Sequence, residues 1–196
     1  MTDGALRLGR LELRAGFIVV AAAGMLFAPG GLIACFLAAA ALHELGHMAV
    51  LYALGGRVER VRVSAIGAEI VCRKERLSYK RELAVYLAGP VASAAVGVGC
   101  AFAARALASD PLYIFAGANV LLGAFNLLPC RGLDGGGALR IASLMMFDRE
   151  VAALDWLHYA VGAALMILGL WAAANGGFNL ALVWIAVWIL IGRKDY

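Results

Sequence analysis

The stretch ACFLAAAALHELGHMAVLYAL, residues 34–54, decides how the rest of the chain is interpreted. It is apolar throughout except for His43, Glu44 and His47, and a helix of about 20 apolar residues is long enough to cross a bilayer. A charged side chain at the centre of such a helix costs at least about 2.5–3.5 kcal/mol. Ionisable residues at this place therefore indicate a function that offsets their cost.

The composition places the whole chain in a membrane. Of its 196 residues, 64% are hydrophobic and 15% are charged, and the mean hydropathy is +0.87, whereas soluble domains are about 45–50% apolar. The four cysteines are scattered and form no CxxC pair, so neither a disulfide framework nor a cysteine zinc site is expected. We therefore predict an all-α polytopic membrane protein.

Six transmembrane helices are predicted from the apolar stretches. They cover approximately residues 14–28, 31–54, 83–106, 112–130, 156–174 and 178–192. The first stretch lacks the small-residue cleavage pattern of a signal peptide, so we interpret it as a span that stays in the protein.

The basic residues support this count and give it an orientation. With six spans, 16 of the 17 Lys and Arg residues lie on one side of the membrane, and only Arg105 lies on the other. Basic residues accumulate in cytoplasmic loops, which predicts cytoplasmic N- and C-termini in a bacterial cell membrane. The net charge of +4 then reflects topology and attraction to anionic lipid, and no nucleic-acid partner is expected.

A polar segment, residues 57–72, separates the second and third predicted spans. Apolar and charged residues alternate imperfectly along it, which is typical of strands, and Ile66-Gly67 indicates a turn. We predict a short membrane-associated β-ribbon here, preceded by a glycine pair that ends the second span. Residues 1–196 are expected to form a single intramembrane domain without a soluble regulatory domain.

The residues HELGH have the spacing of a zinc hydrolase motif. His43 and His47 are four residues apart, so on a helix they share one face and can bind one zinc ion. Glu44 lies beside that face, where it can take a proton from an attacking water molecule and deliver it to the leaving amine. Two simpler interpretations remain open, namely a proton relay and a hydrogen bond between packed helices.

A catalytic zinc site takes three protein ligands and leaves one position for water. His158 is the only other histidine, but a lone histidine near a helix end is expected to meet headgroups or water. Asp134, in FNLLPCRGLDGGGALR at the end of the fourth predicted span, is preferred as the third ligand because the chain has few other intramembrane acids. The alternative is that Asp134 only caps the helix that follows.

Two asparagines of the fourth predicted span are candidate substrate-binding residues. Asn119 and Asn126 are seven residues apart and so share a helix face. Either could hydrogen-bond a scissile carbonyl group or hold Asp134 in position. The alternative, interhelical hydrogen bonding, is equally consistent with the sequence.

HELGH within a span, followed by FNLLP and LDGG at the end of a later span, resembles the site-2 proteases, the intramembrane zinc metalloproteases. By this resemblance His43, His47 and Asp134 are the zinc ligands, Glu44 is the catalytic base and Asn126 helps to bind substrate. In AGP, residues 88–90, the family's GPxxN pattern is present in part, but Ser93 stands where the family has asparagine. The family also often has proline where this chain has Gly132.

The layout of the spans, without a PDZ insertion, resembles the sporulation branch of the family, like stage IV sporulation protein FB. Members of that branch cleave a pro-sigma factor near its N-terminus on the cytoplasmic side of a membrane. They commonly carry a soluble nucleotide-sensing domain after the membrane core, whereas this sequence ends at Tyr196.

The predicted function is that of an intramembrane zinc metalloendopeptidase, which hydrolyses a peptide bond of a membrane-associated substrate near the cytoplasmic face. Its expected partners are that protein substrate, the lipid bilayer and membrane-protein regulators. The β-ribbon either adds the substrate as an extra strand or only rests on the membrane. Two other functions stay open: a catalytically inactive zinc-binding scaffold, and a proton-relay transporter that uses His43, Glu44 and His47.

Overall fold

A computed structural model describes residues 5–8, 11–14, 31–56, 58–64, 67–72, 77–175 and 180–191. The helices are α1 (Leu32–Ala53), α2 (Tyr79–Leu107), α3 (Asp110–Asn126), α4 (Asp134–Phe147), α5 (Ala153–Ala174) and α6 (Leu180–Ile191). The strands are β1 (Ala5–Leu8), β2 (Leu11–Arg14), β3 (Val58–Ser64) and β4 (Gly67–Cys72).

Three of the described helices, α1, α2 and α5, are long and apolar enough to cross a membrane. They lie where the second, third and fifth spans are predicted, and large apolar side chains such as Phe102 and Trp171 are exposed on them, as expected for surfaces that face lipid. α6 is a shorter apolar helix, and α3 has only 17 residues. The protein is therefore a membrane protein, and the total of six spans stays a prediction.

The first predicted span, 14–28, lies outside the described residues apart from Arg14, which is the last residue of β2. The end of the second span is as expected. α1 ends at Ala53, and Gly55 adopts a φ of +82°, which a residue without a Cβ adopts easily. Its N–H donates to the Tyr52 carbonyl, and the next N–H donates to the Leu51 carbonyl, so the last carbonyls of the helix are satisfied.

The described strands form one four-stranded sheet in the order β1-β2-β3-β4. β3 and β4 lie in the segment of the predicted ribbon and pair antiparallel, with Ser64 opposite Gly67; the turn residues 65–66 lie outside the described part of the chain. β1 and β2, which extend the sheet, were not predicted from the sequence, and β2 pairs parallel with β3. The contact of this sheet with a membrane stays a prediction.

The chain divides into two compact units, one of residues 1–78 with 88–123 and one of residues 79–87 with 124–196. In the first unit, helices pack closely through small residues. A Cβ atom on Gly46 of α1 would lie 2.6 Å from Ala92 of α2, and one on Gly97 would lie 2.6 Å from Val120 of α3. Small residues therefore allow these helices to pack closely.

The second unit has its own apolar core. Cys130, Leu133 and Ile189 are buried at its centre. Partly buried side chains surround them: Phe125, Leu128, Val161, Leu165, Ile185 and Trp188. Two residues of the loop between α3 and α4, Cys130 and Leu133, are therefore buried in a core to which α5 and α6 also contribute.

Candidate metal centre

The two histidines of the HELGH motif lie on one face of α1, as their spacing predicts. Both are buried, with 3% of His43 and 6% of His47 exposed. Their Nε2 atoms are 3.2 Å apart and the rings meet edge to face. Two buried imidazoles that bring the same nitrogen together at this distance have the arrangement needed to share one cation.

Gly89 of α2 makes room for this pair. A Cβ atom at Gly89 would lie 2.2 Å from the Nε2 atom of His47 and 2.7 Å from that of His43. Real Cβ atoms essentially never come so close to another atom, so any other residue here would displace the rings. The glycine of the AGP sequence therefore allows α2 to approach the histidines with its backbone alone.

Ser93, one turn further along α2, fixes the orientation of His43. Its Oγ atom is 2.9 Å from His43 Nδ1, and the side chain is fully buried. If Nε2 binds a metal, Nδ1 is the protonated nitrogen, and its N–H donates a hydrogen bond to Ser93 Oγ. This hydrogen bond selects the tautomer and holds the ring. This serine occupies the position at which the resemblance leads one to expect asparagine.

Asp134 is the first residue of α4, with Leu133 at the N-cap position and no side-chain capping hydrogen bond. The alternative that Asp134 caps this helix stays a prediction. In the turn before the helix, Leu133 N–H donates to the Cys130 carbonyl at 3.1 Å, and the intervening Gly132 has a φ of +82°, as in a type II turn. This turn fixes the path of the backbone into α4.

The glycines after Asp134 set the position of the first turn of α4. A Cβ at Gly135 would lie 2.1 Å from the Leu127 carbonyl oxygen, and one at Gly136 would lie 2.1 Å from that of Cys130. A Cβ at Gly137 would lie 2.3 Å from the ring of Tyr86. The helix start therefore packs directly on the preceding loop, which restricts where Asp134 can lie.

His43 and His47 belong to the first unit and Asp134 belongs to the second. Two nitrogens that bind a tetrahedral zinc at 2.0–2.1 Å are about 3.3 Å apart, close to the 3.2 Å between the histidine nitrogens. Two neutral imidazoles and a carboxylate are also the donor types that catalytic zinc sites use. The residues present therefore fit a zinc ion.

For the remaining candidate site residues, the structure gives mainly their burial. Glu44 follows the first histidine on α1 and is half-buried, and Asn126 is half-buried at the end of α3. Asn119 is fully buried, and its amide donates to the Phe115 carbonyl of the same helix at 2.9 Å. Within the described part of the chain its Oδ1 atom has no hydrogen-bond partner.

His158 differs from the expectation for it. It is not exposed at a helix end but is buried, with 2% of its surface accessible, and its Nδ1 atom accepts a hydrogen bond from the Arg131 backbone N–H at 3.2 Å. The contacts of Gly89 and Ser93 were also not predicted from the sequence. The sequence signal for them is the AGP segment, after which Ser93 departs from the family pattern.

The fold and these donor residues define a membrane protein with a candidate divalent-metal centre. The sequence model of peptidase family M50 matches residues 84–169, which is less than half of the chain, and over these residues the chain is similar to that family. It is 32% identical over 104 residues to a zinc metalloprotease of Methanocaldococcus jannaschii, a match over 50% of this chain and 30% of that protein. It is 30% identical over 142 residues to stage IV sporulation protein FB of Bacillus subtilis, over 68% of this chain and 46% of that protein.

Among solved structures, the site-2 protease from Methanocaldococcus jannaschii has the same fold. The match has a TM-score of 0.70 and covers 98% of this chain and 97% of that chain, at 22% sequence identity. The chain spans less than half the length of the curated relatives it matches, between 30% and 46%.

Proposed function

We propose that the protein is an intramembrane zinc metalloendopeptidase. The observation that carries this proposal is the approach of two buried imidazole nitrogens, His43 Nε2 and His47 Nε2, to 3.2 Å, with Asp134 proposed as the third ligand. The family match supports a peptidase, and two of the curated relatives are named as zinc metalloproteases. Two histidines buried in an apolar helix would be costly without a bound cation.

A zinc ion in this site would supply Lewis acidity to the scissile carbonyl and lower the pKa of an attacking water. Glu44 accepts the proton of that water and returns it to the amine that leaves. His43, His47 and Asp134 hold the cation, and Ser93 keeps the His43 ring in its binding tautomer. Asn126 binds the substrate backbone, while Asn119, buried against its own helix, acts through packing in the state described.

The proposed substrate is a membrane-associated protein cut near the cytoplasmic face. The relative named for sporulation and the motif resemblance favour a pro-sigma factor as the substrate class. Such a substrate would reach the site through a hydrated cleft from the cytoplasm, and membrane proteins would regulate its access.

The proposal is tested by separating metal binding from cleavage. We expect purified protein to contain about one zinc per chain and Asp134→Ala to lose most of it. Glu44→Gln should retain zinc but lose cleavage of a co-expressed pro-sigma factor by at least about a hundredfold. Zinc with no Glu44-dependent product would favour the inactive scaffold, whereas proton transport by a metal-free protein would favour the relay.

A further inference from the structure

A second polar cluster lies in the unit that carries Asp134, at the loop that precedes this residue. Arg131 occupies the second position of the turn formed by residues 130–133. Its guanidinium group forms an ion pair with Asp155 in the first turn of α5. Its backbone N–H donates to His158 Nδ1 at 3.2 Å. We call these two contacts the Arg131 anchor.

Both partners in the anchor come from one helix face, because Asp155 and His158 are three residues apart on α5. The two contacts act on different parts of the same residue, one on the side chain and one on the backbone. Together they restrict both the position and the rotation of the Arg131 peptide unit. Arg131 belongs to the turn that leads directly into α4, and it lies three residues before Asp134.

Apolar packing restrains only the two ends of this turn. Cys130 and Leu133 are buried in the core, but Arg131 faces a cavity of about 260 Å³ that is lined by both polar and apolar residues. Its other lining residues include Arg140, Glu150 and Asp155 and the apolar Leu139, Val151, Ala152 and Leu154. On this side the Arg131 anchor joins the turn to α5.

We propose that Asp155 and His158 are positioning residues that, through Arg131, hold the Asp134 carboxylate in its metal-binding place. This inference rests on the proposed zinc site, of which Asp134 is a ligand. The Arg131 N–H is held by a buried acceptor, so removal of that acceptor leaves a donor without a partner and drives the turn to shift. A shifted turn moves the start of α4, because Gly136 packs on the Cys130 carbonyl at the first position of the turn.

The test measures zinc affinity by competition with a chelator for the full chain in detergent. Asp155→Asn should weaken zinc binding about three- to tenfold, and His158→Phe, which keeps the ring volume but has no acceptor, about tenfold or more. His158→Asn should restore much of the loss, since its Oδ1 atom lies where Nδ1 does. The cobalt-substituted protein should show a changed visible absorption spectrum in the first two variants and a near-native one in the third.

Glu150→Gln provides the matched control. The Arg140–Glu150 ion pair lines the same cavity at 3.2 Å, with comparable exposure of both side chains, and neither residue belongs to the turn. Its loss should leave zinc affinity unchanged. Thermal unfolding of the metal-free proteins checks that each variant folds.

The outcomes separate this proposal from the zinc site itself. If wild-type protein binds zinc and Asp134→Ala does not, but the Asp155 and His158 variants match Glu150→Gln, the anchor has no positioning role. If wild-type protein and Asp134→Ala bind zinc equally, Asp134 is not a zinc ligand and the proposed metal centre itself is wrong. If only unfolded variants lose zinc, while folded Asp155→Asn keeps native affinity, the anchor is structural and the proposal is overturned.

Discussion

At the scale of single residues, the site depends on two positions of α2 that carry no chemistry of their own. Gly89 gives the histidine rings their space and Ser93 gives one of them its orientation. Gly89 lies against atoms that would contact the metal, and Ser93 hydrogen-bonds the other nitrogen of the His43 ring. Substitutions at these positions should therefore alter zinc binding more than they alter folding.

We predict that Gly89→Ala abolishes most zinc binding. The added methyl group would overlap both Nε2 atoms and force the rings apart, so affinity should fall at least about a hundredfold by analogy with the loss of an outer-shell partner. Gly99→Ala in the same helix is the control, because a Cβ there meets nothing within 4 Å. It should keep zinc and gain about 0.5–1 kcal/mol of stability. Equal zinc affinity in the two variants would refute the role of Gly89.

Ser93→Ala is expected to weaken zinc binding about tenfold without loss of the fold. It removes the acceptor for His43 Nδ1–H but keeps the helix contact, and outer-shell partners of metal-binding histidines typically contribute 10–100-fold in affinity. Ser143→Ala is a suitable comparison, since Ser143 is also buried in a helix but hydrogen-bonds the backbone of Arg149 and Val151. Chelator competition on both proteins distinguishes a metal effect from a general loss of a buried hydroxyl.

At the scale of elements, the sheet changes how the strand-addition hypothesis is tested. β3 is paired on both sides, with β2 and β4, so its backbone is not free to take a further strand. β4 has β3 as its one described neighbour. A substrate segment that adds to the 58–72 strands must therefore pair with β4.

We predict that proline lowers substrate cleavage when it is placed at one of two adjacent positions of β4, but not at the other. Successive N–H groups of a strand point to opposite edges, so one of Glu69→Pro and Ile70→Pro removes a bond to β3 and the other removes an outward donor. The outward variant should reduce kcat/KM about three- to tenfold while hydrogen exchange in β3 stays slow. Alanine at both positions is the control, and unchanged kcat/KM in the outward proline variant would contradict strand addition.

At the scale of the whole molecule, the sequence predicts what is local. The long apolar helices, the end of α1 at its glycine pair and the pairing of His43 with His47 follow from composition and helical spacing. The β1 and β2 strands were missed, although ALRL and LELR alternate, because each has four residues and β2 pairs with a strand distant in sequence. The contact of Ser93 with His43 joins two helices, and that of Arg131 with His158 joins a turn to a helix, so no periodicity within one helix reveals them.

The predicted orientation of the whole chain can be tested at the ends of α2 and α5. In a background whose native cysteines are replaced by alanine, single cysteines are introduced at exposed positions: Ser78, Asp110, Arg149 and Asn175. Because basic residues mark the cytoplasmic side, a membrane-impermeant thiol reagent added to intact cells should label the Asp110 and Asn175 positions. The Ser78 and Arg149 positions should react only after the cells are opened.

Each pair of sites flanks one helix, so the labelling pattern tests separately whether the helix crosses the membrane and in which direction. Ser78 and Asp110 lie on either side of α2, and Arg149 and Asn175 lie on either side of α5. Labelling of both members of a pair from outside would mean that the helix between them does not cross the membrane. A complete inversion of the pattern would keep the spans but place the Arg131 turn and Asp134 on the external side, and the proposed access of substrate from the cytoplasm would then be wrong.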